Sequence, residues 1–65
     1  MNVWLNNKTI TLNSGDSLQV LIGQSAVQEP FAVAVNGQFV PKPTYAGVTL
    51  QNDDRIDILS PIQGG

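Results

Sequence analysis

The chain closes on Ser60-Pro61-Ile62-Gln63-Gly64-Gly65, and the reactive group offered by this run is a backbone carboxylate, not a side chain. A terminal α-carboxyl has a pKa of about 3.3–3.7 and is fully ionised at neutral pH. Two glycines leave it without a neighbouring Cβ, and they accept backbone conformations closed to other residues. At ordinary glycine usage, two in succession at a terminus arise by chance in roughly one chain in two hundred. Frayed ends also tolerate glycine, so the pair gains its weight from what precedes it. On this reading Gly65 is the functional group, residues 61–65 form a flexible tail, and residues 1–60 form the folded handle that presents it.

Side-chain chemistry is narrow. The 65 residues include no cysteine and no histidine. Thiolate nucleophiles, disulfides and the usual zinc ligands are therefore excluded. Ser14 and Ser17 have no imidazole to activate them. Asp53, Asp54 and Asp57 lack the spacing of a calcium loop; the first two read as turn residues and the third as the outward side of a strand. Lys42, between Pro41 and Pro43, reads as a solvated loop cation. Asn36-Gly37 reads as a turn and not as a phosphate cradle, because no helix follows it. Any thiol or imidazole chemistry must come from a partner.

Three basic residues stand against five acidic ones, a net charge of −2. That lacks the basic footprint of a nucleic-acid binder and suits a partner with a basic docking surface. No basic segment followed by an apolar run opens the chain, and no apolar stretch approaches the roughly 20 residues of a membrane span. The expectation is a cytoplasmic protein that engages neither membrane nor nucleic acid.

The elements that must position the tail follow from alternation. Met1, Val3 and Leu5 share one side of a first strand, and Lys8-Thr9-Ile10-Thr11-Leu12 alternates again after Asn6-Asn7. Asparagine accepts the positive φ of a type I′ turn, so the two runs form a hairpin with Leu5 opposite Lys8. Leu18, Leu21 and Ile22 then mark one stripe of a short helix capped by Asp16 or Ser17. Phe31–Val35 is a strand, Asn36-Gly37 a tight turn, and Gln38–Val40 a brief continuation ended by the prolines. A short strand over Val48–Leu50, a turn over residues 51–54 and a last strand over Arg55–Leu59 complete the order. One helix covers one face of a sheet, which makes the fold α+β. The expected core is Val3, Leu5, Ile10, Leu12, Val33, Val35, Ile56 and Ile58 against Leu18, Leu21 and Ile22. Trp4, Ala34 and Leu59 then fall on the opposite face, which is a candidate docking patch beside the tail, together with Ile62.

This order, ending in a bare Gly-Gly, resembles the ubiquitin-like sulfur carriers of the β-grasp fold, and most closely the thiamin-biosynthesis sulfur-carrier (ThiS) family. The likeness covers essentially the whole chain. It is most specific in Val33-Ala34-Val35-Asn36-Gly37-Gln38-Phe39-Val40-Pro41-Lys42, in Asn52-Asp53-Asp54-Arg55-Ile56 and in Ile62-Gln63-Gly64-Gly65. Three positions depart from it: Asp53 stands where the family often has glycine, Tyr45 where tryptophan is common, and Val20 where a capping-box glutamate is frequent.

The resemblance implies a mixed four- to five-stranded sheet with one helix across one face. It also implies a carrier and not an enzyme. Gln63 and Gly64 would thread a narrow channel of a ubiquitin-activating-like adenylyltransferase (ThiF type), and Gly65 would become an acyl-adenylate. Sulfur from a persulfide enzyme would convert it to a thiocarboxylate, which a thiazole synthase (ThiG type) would consume. No cofactor would be bound by the chain; ATP and Mg would be used by the activating partner. Two alternatives stand beside this reading. One is a carrier for molybdopterin or another thiocarboxylate pathway, and the other is a ubiquitin-like interaction module or protein tag.

Overall fold

The computed structural model of the chain describes residues 1–25 and 27–60. Five strands form one mixed sheet: β1 (Asn2–Leu5), β2 (Lys8–Thr11), β3 (Ala32–Val35), β4 (Gln38–Val40) and β5 (Arg55–Leu59), in the order β2-β1-β5-β3-β4. Among the described residues one α-helix, α1, spans Leu18–Gln24. This is the expected α+β arrangement, with the last strand at the centre of the sheet.

Both hairpins are set by residues that accept a left-handed backbone. Asn6 and Asn7 have φ of 48° and 70°, and β1 pairs antiparallel with β2 in the expected register, Leu5 opposite Lys8. Asn36 and Gly37 have φ of 51° and 85°, and β3 pairs with β4 from Val35↔Gln38 to Val33↔Val40. Two successive positive-φ residues are what a type I′ turn requires, and its twist matches that of the flanking strands.

The helix begins at Ser17, whose extended backbone leaves its Oγ free to accept the Val20 N–H at 3.3 Å. Leu18 and Leu21 point into the core with Val3, Leu12, Val33, Ile56 and Ile58, while Leu5, Ile10, Ile22 and Val35 pack around it half-buried. The alternation therefore delivers the expected aliphatic face.

Two features of residues 41–50 differ from expectation. Lys42–Gly47 is a 3₁₀ helix with proline in its first turn, a conformation in which proline's fixed φ and missing N–H are tolerated. Val48–Leu50 is not a strand of the sheet; Thr49 makes only an isolated bridge to Ser17. The reason lies in the backbone partners. Leu18 N–H donates to Val48 O at 2.8 Å and Leu50 N–H donates to Asp16 O at 3.0 Å, so this segment is bound to the entrance of the helix. Leu50 is consequently 2% exposed, and Tyr45 joins the core with its ring stacked on Phe31 at 6.5 Å between centroids. Neither residue belongs to the core expected from alternation, because a 3₁₀ turn and a lone bridge carry no period to read.

Candidate functional site

Strand β5 is the element that delivers the chain to Ser60. It is flanked on both sides, parallel to β1 through Trp4↔Arg55 and Leu5↔Ile56, and antiparallel to β3 from Ala32↔Leu59 to Val35↔Ile56. A strand hydrogen-bonded on both edges has no free ladder along which to slip, and a one-residue slip would turn its buried Ile56 and Ile58 outward. The point at which the chain leaves the sheet is thus fixed by core packing. Gln63, Gly64, Gly65 and Ile62, expected to thread, carry sulfur and dock, lie outside the described residues, as does the proposed 61–65 tail.

The remaining expected docking residues can be placed. By register, Trp4, Ala34 and Leu59 all stand on the sheet face opposite α1, together with Arg55, Asp57, Ala32 and Phe39. Leu59 is 63% exposed and Phe39 is 68% exposed, whereas Trp4 and Ala34 are half-buried. Phe39 is the member that the sequence reading missed. Its signal was available in the two-residue turn, which puts Phe39 directly across from Ala34. Arg55 covers the Trp4 ring, with the guanidinium carbon 5.3 Å from its centroid. This face therefore offers an aromatic-aliphatic surface that carries one positive charge, the Arg55 guanidinium over the Trp4 ring, and one carboxylate at Asp57.

Asp54 and Lys42, two of the polar residues considered for chemistry, have structural partners. Asp54 accepts from Gln51 N–H at 2.8 Å through one carboxylate oxygen, and from Asn36 Nδ2 at 3.0 Å through the other. Asp53 has φ of 72° in the same turn, the left-handed position where glycine is common. Lys42 pairs with Glu29 at the surface and so is not simply a solvated cation. Among the described residues, no helix is long and apolar enough to cross a membrane.

Comparison with known proteins agrees with this geometry. Over all of both chains, the structure is similar to the thiamine biosynthesis protein ThiS from Geobacter metallireducens, with a TM-score of 0.83 at 23% identity, a likeness of fold. In sequence, the chain is 35% identical over 66 positions to a thiazole synthase from Magnetococcus marinus; the match takes in 100% of this chain and 20% of the synthase. It therefore spans about a fifth of the length of that curated relative. The profile of the ThiS family matches residues 3–65, from the first strand through the closing glycine pair. With the sheet order, the helix and that match in agreement, the chain belongs to the ThiS family.

Proposed function

We propose that the chain is a sulfur carrier protein of thiamin biosynthesis, working on thiazole formation as a protein cosubstrate and not as an enzyme. The observation that carries this reading is the family match extending through Gly64-Gly65. The similarity to part of a thiazole synthase supports a synthase of that class as the consumer of the sulfur.

In this reading a Gly65 carboxylate oxygen attacks the α-phosphorus of ATP on a ubiquitin-activating-like adenylyltransferase, and pyrophosphate leaves. Mg and cationic groups of that partner offset the charge that otherwise repels the carboxylate. The terminal sulfur of a partner persulfide then displaces AMP from the acyl carbon. A further thiol breaks the sulfur–sulfur bond and leaves Gly65 as a thiocarboxylate. Thiazole synthase takes the sulfur, and hydrolysis restores the carboxylate. The chain has no cysteine, so both the persulfide and the reducing thiol belong to partners. All of these steps take place in the cytoplasm, where ATP and reduced thiols are available.

Intact-mass spectrometry of the chain purified from its host tests the proposal. The expected result is a fraction heavier by the substitution of sulfur for one oxygen at Gly65. Deleting Gly65 is expected to abolish that fraction and thiamin prototrophy while leaving the unfolding midpoint unchanged. Adducts on lysines of other proteins would instead identify a tag, and prototrophy retained after the deletion would refute the carrier.

A further inference from the structure

The parallel ladder between β1 and β5 outlasts β1 itself. Trp4 N–H donates to Asp54 O at 2.8 Å and Asn6 N–H donates to Ile56 O at 2.9 Å, two residues further along each strand. The next acceptor in that series is Ile58 O, yet the main chain beyond Asn6 has turned away into the hairpin. The Asn6 side chain takes over. Its Nδ2 donates to Ile58 O at 3.2 Å, and its Oδ1 accepts from Ile58 N–H at 2.8 Å. One carboxamide thus supplies both the donor and the acceptor that a peptide unit of β1 would have supplied. Asparagine is suited to the role because its side chain carries an amide and because it tolerates the turn's φ of 48°.

We propose that Asn6 is a positioning residue for the carrier reaction: by pairing with both polar groups of Ile58 it holds β5 in the sheet to its last residue and sets the direction in which the chain departs at Ser60. The claim rests on the carrier reading only for its kinetic consequence. Without Asn6, the Ile58 N–H and C=O, which both point to the β1 side, lose their partners, and the end of β5 is held only by the β3 ladder through its neighbouring residues. The last turn of strand before the tail is then free to swing about β3. Reaction of a tethered carboxylate depends on placement, and a displacement of about 1 Å can cost about a hundredfold in rate. Asn6 lies in the turn at the end of the sheet, and of the docking-face residues only Leu59 stands on the segment it releases; Trp4, Ala34 and Phe39 keep their strand pairings.

The test compares the unaltered chain with Asn6→Gly, which keeps the positive φ and removes both bonds, and with Asn6→Asp, which removes only the donor to Ile58 O. Asn7→Gly is the control in the same turn, with φ of 70° at that position. Pyrophosphate release by the host adenylyltransferase with ATP is measured against carrier concentration. The expected result for both Asn6 variants is a maximal rate lower by about tenfold or more, with the half-saturating concentration within about twofold of the unaltered chain. Asn7→Gly is expected to match the unaltered chain. A maximal rate unchanged in both Asn6 variants would overturn the proposal, as would a loss confined to half-saturation.

Amide exchange and N–H orientations measured by NMR read the geometry without any enzyme. Faster exchange at Ile58, with reoriented Leu59 and Ser60 N–H vectors, is expected in Asn6→Gly. Unchanged vectors would sink the positioning role. If the unaltered chain releases no pyrophosphate, it is the carrier reading that fails, and the NMR measurement still decides the role of Asn6. Should Asn6→Gly fail to fold, Asn6→Asp carries both measurements.

Discussion

The Arg55 guanidinium lies over the Trp4 ring, 5.3 Å from its centroid, across the junction between the first and last strands. Their parallel pairing, Trp4↔Arg55, puts the two side chains on the face opposite the helix. The pair holds a large apolar ring flat on the sheet and keeps it half-buried, so little side-chain entropy remains to be lost when a partner covers it. Buried aromatic anchors cost at least about 2 kcal/mol when truncated, a roughly thirtyfold rise in Kd. Trp4→Ala is expected to weaken binding to the adenylyltransferase by at least that factor in a calorimetric titration. Arg55→Ala is expected to cost about 0.5–1 kcal/mol, the value of an exposed cation–π contact. Lys8→Ala, on an exposed residue of the opposite face, is expected to leave Kd within about twofold. Unaltered binding by Trp4→Ala would remove this face from the interface.

Leu50 tests the part of the core that alternation did not reveal. It is 2% exposed and is held at the helix entrance by its N–H to Asp16 O. Truncating a buried leucine to alanine costs about 2–5 kcal/mol. A domain of this size has a total stability of about 3–10 kcal/mol. Leu50→Ala is therefore expected to lower the urea midpoint sharply and to populate unfolded chains in plain buffer, whereas Leu59→Ala, at an exposed site, should shift the midpoint little. A midpoint for Leu50→Ala equal to that of the unaltered chain would show that the segment before β5 does not belong to the cooperative core.

These two residues mark where the sequence is legible and where it is not. Leu59 could be assigned to the outer face because β5 alternates strictly, and Ile56 and Ile58 on either side of Asp57 leave one reading. The two type I′ turns were equally clear, since Asn6-Asn7 and Asn36-Gly37 are among the few pairs that accept positive φ in succession. Asp53, at φ 72°, shows the same conformational demand met by a less usual residue. Leu50 and Tyr45 were hidden because a 3₁₀ helix and an isolated bridge are set by partners distant in sequence, at Asp16, Leu18 and Phe31. The Asn6 carboxamide was hidden for the same reason: its partner, Ile58, lies 52 residues away. On the candidate site, the family and the glycine pair could be read from residues alone, while Phe39 needed the hairpin register to find its place.

The helix start offers a change whose sign can be worked out in advance. Ser17 Oγ accepts the Val20 N–H at 3.3 Å, which is half of a capping box. The other half, a carboxylate at position 20 reaching back to the Ser17 N–H, is missing because the residue there is valine, 40% exposed and outside the fully buried core. Val20→Glu restores the return bond, replaces a β-branched residue by a better helix former, and places negative charge in a first turn that has none. Against this stands the partial burial lost at Val20, a fraction of the value of a full valine. Charge near a helix N-terminus alone contributes about 0.3–1 kcal/mol. The expected outcome is a stability gain of about 0.5–1 kcal/mol by urea unfolding, reduced in high salt as the charge is screened. Val20→Gln, which keeps the return bond without the charge, should retain part of the gain and lose its salt dependence. A loss of stability in both variants would mean that the exposed valine contributes more by packing than the cap can return.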